Sequence, residues 1–382
     1  MEAKQKDQKY KIITKLDSGG MAEVFKAEME TVKGFKKTVA IKRIRPHLIK
    51  EEKFVKMFMD EARLSLYLQH ANIATIFDVG MSDKHFFIVM EFVEGLNLRA
   101  LLQLLPSPVL PPHVAVSIVQ SVCEALDYAH NLKDPSTGAP FNIVHRDISP
   151  PNVLLSRQGE IKLVDFGLAK ASSQSERSEP GIIKGKYSYL SPEAAAGLEV
   201  DHRTDIFASG IILYELLTGT RLFLGEDNYQ TVLAVKECQV PPLTTMLPGA
   251  PKELEAILSR ALERDPERRY QSAQEMGDDL TKLLFQIGQA VTKRDLAQYV
   301  IEALEVKKLQ EPSILIARDS LLKEFIEDEI NALISIGEFE EDPSTMPGAA
   351  PIDLMSMSGA QALAELSQGG SGPRLSERDI GG

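Results

Sequence analysis

Three oxygen-bearing side chains occur in one short window of the chain, and their types suit a metal-assisted reaction. Asp147 and Asn152 lie in the stretch HRDISPPN, and Asp165 opens the triplet DFG. Carboxylate and amide oxygens are the ligands that Mg²⁺ prefers. If a lysine and a glycine loop lie nearby, this set is what phosphoryl transfer requires. HRD followed at this spacing by Asn and DFG rarely arises by chance.

A candidate lysine comes from an earlier part of the chain. In EEKFVKMFMDEARLSLYLQH, five residues recur at helical spacing and are predicted to share one helix face: Phe54, Met57, Glu61, Leu64 and Leu68. A carboxylate inside such an apolar stripe is costly unless a cation meets it. Lys42, at the end of the run TVAIK, is the nearest good candidate. Alternatively, Glu61 lies at the edge of the stripe and reaches water.

The stretch LDSGGMAEV, between two strand patterns, contains the adjacent glycines Gly19 and Gly20. Glycines let a hairpin backbone approach a ligand closely and point its N–H groups at phosphate oxygens. Taken alone, a Gly-Gly hairpin turn without any ligand is the simpler interpretation.

The elements that must position these groups follow from periodicity. Five β-rich runs come first, YKIITKL, AEVFKAEM, KTVAIKRI, TIFDVGM and HFFIVMEF, with a helical pattern before the last two. From about residue 94 helical patterns dominate, with short strand-like pieces at VLL and IKLVDF. The pattern predicts an α+β fold in which a small β-rich lobe joins a larger helical lobe. HNLKDPSTGAPFNI carries turn signals and is predicted to be a surface loop before the HRD motif.

Composition narrows the class of protein. The chain has 382 residues, 43% hydrophobic and 26% charged, as expected for an ordinary globular protein of one large or two smaller domains. Cys123 and Cys238 lack C-x-x-C spacing, so neither a disulfide framework nor a zinc site is indicated. Of the net charge of −12, residues 301–382 contribute −10, from 16 acidic and 6 basic side chains. No clustered Lys and Arg indicate a nucleic-acid partner.

No apolar run approaches the roughly 20 residues that span a bilayer, and the start MEAKQKDQKYK lacks an apolar signal core. We therefore expect a cytoplasmic protein without a membrane partner.

The C-terminal part changes character after about residue 290. TKRDLAQYVIEAL has a Thr292/Asp295 capping pattern, and ILIARDSLLKEFIEDEINALISI is a second, acidic amphipathic candidate. That acidic helix is predicted to dimerise, to cover the large lobe or to dock a partner protein. Residues 337–382 are rich in Gly, Ser, Pro and Ala, and we expect them to be disordered.

With these motifs in order, the chain resembles the eukaryotic-like, or Hanks-type, protein serine/threonine kinases that also occur in bacteria. The motifs that carry the resemblance are LDSGGMAEV, VAIK, the Glu61 helix, VMEFVEG, HRDISPPN, DFG, GKYSYLSPE, DHRTDIFASGIILYELLTG and DPERRY. The resemblance implies a bilobal kinase-like fold over residues 10–285, divided at about residue 91. A leader (1–9) would precede it, and an acidic helical extension (290–336) and the tail would follow.

Carried over to this chain, the resemblance assigns roles to single residues. Lys42 would hold the α and β phosphates of ATP and pair with Glu61, while Asp147 would accept the proton of the substrate hydroxyl. Asn152 and Asp165 would bind Mg²⁺, with Mn²⁺ as an alternative ion.

The resemblance also implies an adenine pocket, with Met90 as the gatekeeper and backbone groups of Glu91 and Val93 facing the base. The remaining nucleotide-binding residues would be Leu16, Gly19, Gly20, Val24, Ala40 and Leu154. Asp205 would brace the catalytic-loop backbone, and Glu193 and Arg269 would tie the activation segment to the large lobe.

The chain departs from the kinase pattern at the glycine loop and at the catalytic loop. Asp17 and Ala22 replace the flanking glycines, and a carboxylate at position 17 opposes phosphate binding unless it turns away or caps the hairpin. Ser149 replaces a lysine, and Lys186 replaces the activation-segment threonine that this lysine contacts in the family. We interpret the exchange as a relocation of the positive charge to Lys186. The alternative is a weakened enzyme or a pseudokinase scaffold.

A switch is also implied, because Arg146 directly precedes Asp147 and a partly buried guanidinium there requires an anion. Four serines of ASSQSERSEP are candidates for autophosphorylation: Ser172, Ser173, Ser175 and Ser178. Alternatively, Glu176 or Glu179 already supplies the anion. The sequence therefore predicts an ATP-dependent serine/threonine kinase that acts on protein substrates in signalling.

Overall fold

The N-terminal lobe is a twisted antiparallel sheet with one helix. A computed structural model describes residues 10–18, 22–30, 34–50, 52–82, 85–166 and 187–310. The five strands follow the predicted runs closely: β1 (Tyr10–Ser18), β2 (Ala22–Glu30), β3 (Lys36–Ile44), β4 (Ile76–Ser82) and β5 (His85–Glu91). Their order is β1-β2-β3-β5-β4, so β3, which carries Lys42, is central.

Helix α1 (Glu52–Ser65) packs beside this sheet, and the prediction that it reaches Leu68 is wrong. The side chains of Phe54, Met57 and Glu61 lie outside the described residues, so their place on one face stays a prediction. The helix ends at Ser65, and Leu68 is buried in the turn that follows it. Within the helix the buried positions include Phe58, Ala62 and Ser65, whereas Leu64 is only partly buried. Two of the buried residues, Ala62 and Ser65, have small side chains. A search for large apolar residues at helical spacing therefore overlooks them.

The C-terminal lobe is mainly helical, as predicted. A small sheet consists of β6 (Gly95–Asn97), β7 (Val153–Ser156) and β8 (Ile161–Leu163). The helices are α2 (Leu98–Leu104), α3 (Pro112–His130), α4 (Pro192–Ala196), α5 (Arg203–Thr218), α6 (Asn228–Glu237), α7 (Leu243–Met246), α8 (Lys252–Ala261), α9 (Ala273–Ile287) and α10 (Lys293–Gln310). Helix α5 is buried at every position from Thr204 to Leu217, as the apolar run IFASGIILYELL favours.

The segment between α3 and the HRD motif is an exposed turn, as predicted. Asp134 closes it: its amide donates to the carbonyl of Ala139 at 2.8 Å, and its carboxylate accepts from the amide of Ser136 at 2.7 Å. The ring of Phe141 lies 5.0 Å from the ring of Tyr67, so the turn also contacts the segment after α1.

Helix α10 begins with the predicted cap and packs on the large lobe. The carboxylate of Asp295 accepts from the amide and hydroxyl of Thr292, each at 2.8 Å. Val300 is fully buried in the main core, and the helix contacts α2 and β7. Gly159, in the turn between β7 and β8, lies so close to the Lys293 carbonyl that no side chain fits between them.

The described residues all belong to one unit, residues 7–336. Within them no helix combines the length and the apolarity needed to cross a membrane. The predicted leader, the acidic segment 313–336 and the tail 337–382 lie outside the described residues.

Candidate active site

The backbone of the predicted catalytic loop is held by one buried carboxylate. Asp205, at the start of α5, accepts from the amides of His145 and Arg146, each at 2.8 Å. The Nε2 atom of His130, at the end of α3, lies 2.9 Å from the same carboxylate. Burial alone would raise the pKa of Asp205, but these donors outweigh it and the pKa lies below its ordinary value. The bracing role predicted for Asp205 agrees with these contacts.

His145 links the catalytic loop to the DFG segment. Its Nδ1 accepts from the amide of Asp147 at 3.3 Å, and its Nε2 lies 3.1 Å from the carbonyl oxygen of Val164. The ring also contacts Phe166, with ring centres 4.5 Å apart. Burial lowers the pKa of His145, and one accepting and one donating nitrogen are what a neutral imidazole offers.

Asp147 and Asn152 lie together, as the spacing predicts. The amide nitrogen of Asn152 donates to the carbonyl oxygen of Asp147 at 2.8 Å and to its carboxylate at 3.1 Å. Both bonds use the nitrogen, so the amide oxygen of Asn152 is left for a cation. Ser149 is buried, and its hydroxyl donates to the carbonyl of Asp147 at 3.3 Å.

Lys42 reaches across the cleft between the lobes to Asp165. Its ammonium nitrogen lies 2.8 Å from Oδ1 of Asp165, whose backbone is left-handed with φ 59°. Burial opposes ionisation of Asp165, but the Lys42 charge outweighs it and the pKa lies below the ordinary value. The side chain of Glu61 lies outside the described part, so its pairing with Lys42 stays a prediction.

The oxygens at this point suit a hard cation. Asp165 offers a carboxylate and Asn152 an amide oxygen, with the carboxylate of Asp147 beside them. Among the described residues no group of three or more His, Cys, Asp or Glu could hold a metal without help. Mg²⁺ commonly binds through one or two protein oxygens together with phosphates and water, so the residues present fit this ion.

The predicted nucleotide-pocket residues that are described come from adjoining strands. Ala40 on β3 pairs with Met90 on β5, and both are buried; Val24 on β2 is opposite Lys42. Leu154 on β7 is opposite Asn97 of β6, the strand that follows the motif VMEFVEG. Leu16, Val24 and Leu154 are partly or largely exposed, as the walls of an open cleft would be.

Glu91, in the motif VMEFVEG between the lobes, is held by hydrogen bonds to its backbone and its side chain. Its amide donates to the Thr75 carbonyl at 2.8 Å, and its carboxylate accepts from the Thr75 amide and from Lys162, each at 3.1 Å. Val93, two residues further along, is partly exposed. The backbone contacts of Glu91 and Val93 with adenine stay predictions.

Asp17 turns its carboxylate onto the backbone, because Oδ1 accepts from the amide of Ser18 at 2.7 Å. This is the capping alternative considered for this residue. Gly19 and Gly20, which follow it, lie outside the described residues.

Beyond the activation segment, two contacts fix the chain to the large lobe. The carboxylate of Glu193 accepts two bonds from the guanidinium of Arg269, each at 2.7 Å, which agrees with the predicted pair. The hydroxyl of Tyr189 donates to Glu215 on α5 at 2.7 Å. Residues 167–186, with Lys186 and the four candidate serines, lie outside the described residues.

Sequence reasoning missed His130 and the Tyr189–Glu215 pair. His130 closes an apolar helix, and its position carried no local signal. Glu215 lies among the buried residues of α5. A charged residue inside a helix that is apolar on all sides could have indicated that Glu215 has a buried partner.

A small sheet lobe and a large helical lobe, with lysine, aspartates and asparagine gathered between them, define a protein kinase. The chain belongs to this family, because the protein kinase domain family matches residues 10–280. It is 41% identical over 277 residues to tyrosine-protein kinase MasK of Myxococcus xanthus, covering 72% of this chain and 43% of that protein. It is 35% identical over 272 residues to serine/threonine-protein kinase PrkC of Bacillus subtilis, covering 71% and 40%. The chain thus spans about two fifths of these two relatives.

Two further matches cover more of the other protein. Serine/threonine-protein kinase PknL of Mycobacterium tuberculosis is 32% identical over 280 residues, which cover 73% of this chain and 67% of that protein. The crystal structure of the M. tuberculosis PknI kinase domain aligns with a TM-score of 0.53 and 29% identity, covering 72% of this chain and 96% of that one. These matches confirm the predicted bacterial Hanks-type family and its bilobal fold.

Proposed function

We propose that this protein transfers the γ-phosphoryl group of ATP to serine and threonine hydroxyls of proteins, with Mg²⁺. The observation that carries the proposal is the convergence of two contacts at the cleft, Lys42 with Asp165 and Asn152 with Asp147. One contact presents a cation and a metal-binding carboxylate, and the other presents a base beside a second metal-binding oxygen. The names of PrkC and PknL as serine/threonine kinases support the acceptor type.

In the proposed reaction, Asp147 accepts the proton of the acceptor hydroxyl while the oxygen forms a bond to the γ-phosphorus. The bond from that phosphorus to the β,γ-bridging oxygen breaks, and ADP leaves with its electron pair. Mg²⁺ supplies charge neutralisation on the phosphate oxygens. Lys42 would orient the phosphates, and Asn152 holds Asp147 in place while its own oxygen would be available to hold the ion.

Ser149 leaves the catalytic loop without the lysine that is usual in the family. We place the missing positive charge on Lys186, whose ammonium would contact Asp147 and the transferred phosphoryl group. The bond from Ser149 to the Asp147 carbonyl supports this arrangement, because it gives the short side chain a structural role of its own.

Arg146 supports activation by phosphorylation. Its backbone is left-handed, with φ 62°, and its buried Nε makes no hydrogen bond to any residue that the structure describes. A phosphate on one of Ser172, Ser173, Ser175 and Ser178 would satisfy this group. Phosphatase treatment should then lower activity, whereas unchanged activity would favour Glu176 or Glu179 as the resident anion.

The decisive experiment incubates the purified protein with labelled ATP and Mg²⁺, beside the variant Asp147→Asn. Autophosphorylation that is lost in the variant supports the proposal, and its absence in both proteins refutes it. Phosphoamino-acid analysis of the product separates serine and threonine from tyrosine, the acceptor that the name of MasK suggests.

The acidic segment 313–336 is proposed to bind a second copy of the chain or a partner protein. Comparison of the full chain with a chain ending at Gln310 by sedimentation tests the first alternative, because a dimer would be lost on truncation.

A further inference from the structure

The turn between helix α3 and the HRD motif has an internal framework of hydrogen bonds. The amide of Gly138 donates to the carbonyl of Asp134 at 2.8 Å, and the carboxylate of Asp134 accepts from the amide of Thr137 at 3.1 Å. At the base of the turn, the amide of Phe141 donates to the carbonyl of Leu132 at 3.0 Å. The backbone that carries Phe141 is therefore held in place, although most of the turn is exposed.

The ring of Phe141 contacts Tyr67, in the segment that follows helix α1. The two ring centres lie 5.0 Å apart, and the ring planes are inclined by 39°. Both residues are partly buried, and Phe141 packs against the main core of the large lobe. An aromatic pair of this kind contributes about 0.5–1.5 kcal/mol beyond the area that it buries. The contact thus fastens the end of a small-lobe helix to the large lobe.

Tyr67 is connected to the last turn of α1 by the backbone. The amides of Leu66 and Tyr67 donate to the carbonyls of Ala62 and Leu64, each at 3.1 Å. A second aromatic residue of the large lobe, Tyr128 of α3, donates its hydroxyl to the carbonyl of Tyr67 at 3.4 Å. Tyr128 holds only the backbone at this point, whereas Phe141 holds the side chain. A shift of Tyr67 would therefore move the end of the helix.

The same segment borders the predicted metal-binding residue. Ser65 and Leu68 line a cavity of about 20 Å³, and Asp165 and Phe166 line it as well. A space of this size has room for about one water molecule. Closely packed interiors transmit a displacement instead of absorbing it. Movement of the segment after α1 would therefore reach Asp165, whose carboxylate lies 2.8 Å from the ammonium nitrogen of Lys42.

We propose that Phe141 is a positioning residue for phosphoryl transfer: its ring holds Tyr67, and the segment after α1 in turn keeps Asp165 where it meets Lys42. The turn before the HRD motif would then be a support for the cleft and not only a connection between α3 and the catalytic loop. This inference rests on the kinase function proposed above and adds a residue that lies outside the catalytic motifs.

The variant Phe141→Ala removes the ring and leaves the backbone bonds of the turn. Initial rates of autophosphorylation over a range of ATP concentrations give kcat/KM for ATP. We expect this value to fall roughly tenfold, because a small displacement of a positioned group is costly in rate. Phe141→Tyr keeps the ring and should restore the wild-type value. If the pair served stability alone, kcat/KM would be unchanged at temperatures where every variant is folded.

A matched control and a double variant locate the effect. Phe285, on α9, is 81% exposed, so Phe285→Ala makes the same substitution without a partner and should keep the wild-type kcat/KM. Tyr67→Ala removes the other half of the contact and should cause the same loss, which also serves if Phe141→Ala does not fold. Phe141→Ala combined with Tyr67→Ala should lose no more than either single variant, because both break one contact.

Hydrogen exchange supplies a readout that does not depend on catalysis. The amides of Leu66, Tyr67 and Leu68 should exchange faster in Phe141→Ala than in the wild type, and at the wild-type rate in Phe285→Ala. Unchanged exchange, unchanged kcat/KM for ATP, or additive losses in the double variant would each overturn the proposal.

Failure of the kinase function is recognised separately. If the wild type transfers no phosphate from ATP in the presence of Mg²⁺, that function is refuted. The role of Phe141 is then decided by calorimetric titration with ADP and Mg²⁺. Weaker binding in Phe141→Ala that is restored in Phe141→Tyr supports the role, and equal affinities refute it.

Discussion

Lys42 and Asp165 are 123 residues apart in the chain, yet the ammonium nitrogen of one lies 2.8 Å from the carboxylate of the other. The contact joins the central strand of the small lobe to the segment that follows β8 in the large lobe. It therefore links the relative position of the lobes to the ionisation of a predicted metal ligand.

Replacing Lys42 with Met should disable the site. Without the ammonium, burial raises the pKa of Asp165, so its carboxylate protonates at a higher pH and the acid limb of the pH–activity profile moves upward. We expect kcat/KM for ATP to fall by roughly 100-fold or more, since a positioned charge contributes that much. Lys36→Met, at an exposed pair with Glu28, is the control. Activity and acid limb equal to the wild type would contradict this role.

Returning the positive charge from position 186 to position 149 should restore the turnover that the loss of Lys186 alone removes. Lys186→Ala and Lys186→Thr are expected to lower turnover by about 100-fold, because charge stabilisation is lost. Lys186→Thr combined with Ser149→Lys should recover most of that loss in a single-turnover assay. Full activity in Lys186→Ala would exclude relocation of the charge.

The Arg269–Glu193 pair should contribute strongly to stability. Arg269 is buried and also donates to the carbonyls of Glu263 and Arg264, at 2.6 and 3.0 Å. Arg269→Ala should lower the free energy of unfolding by about 3–5 kcal/mol, because it leaves a carboxylate without its cation. Chemical denaturation measures this change. The neighbouring Arg268, 70% exposed, is the control: its replacement by Ala should change stability by less than about 1 kcal/mol.

Acid should destabilise the fold in two stages. His145 has a pKa below its ordinary 6.5, so the unfolded chain binds more protons and stability falls as the pH drops below that value. Asp205 has a pKa below its ordinary 3.8, so its contribution is present above that pH and is lost below it. His145→Gln should flatten the decline between about pH 6.5 and 5, measured by thermal unfolding. His113→Gln serves as a control, and an unchanged slope in His145→Gln would contradict the assignment.

Helix α10 should be required for a stable kinase lobe, although it lies past the matched family region. Burial of Leu296 and Val300 contributes about 3–6 kcal/mol, so Val300→Asp or truncation before Lys293 should lower the melting temperature clearly. Leu309→Asp, at an 80% exposed position of the same helix, should not. Equal melting temperatures for Val300→Asp and Leu309→Asp would contradict this.

A comparison of two glycines tests the close contact between the β7–β8 turn and helix α10. Gly159 and Gly138 both have left-handed backbones, with φ of 78° and 70°. A methyl group at Gly159 would collide with the backbone of Lys293, whereas at Gly138 it would meet nothing within 4 Å. Gly159→Ala should therefore destabilise the protein more than Gly138→Ala, since only the strain is common to both.

Much of the fold could be predicted because strong periodicity coincides with burial. The alternating runs of the small lobe and the largely apolar, buried α5 are examples. Strand β6 was missed because three residues carry no pattern. The face of α1 was partly misassigned because Ala62 and Ser65 are buried without being large.

The site was predictable where chemistry is concentrated in short motifs, as at Asp147, Asn152 and Asp165. Contacts between segments that are far apart in the chain produced no recognisable pattern in the local sequence. Nothing near His130 in the sequence indicates its contact with Asp205. Such relationships depend on how the helices pack, which composition and spacing do not encode.

The bonds from Asp205 to the amides of His145 and Arg146 have one more consequence. Because the strained turn at Arg146 is held by the core of the large lobe, its conformational entropy is already lost when the chain folds. A substrate that arrives at Asp147, the base we propose, would therefore meet a carboxylate whose loop is preset, so little of its binding energy would be diverted to ordering the enzyme.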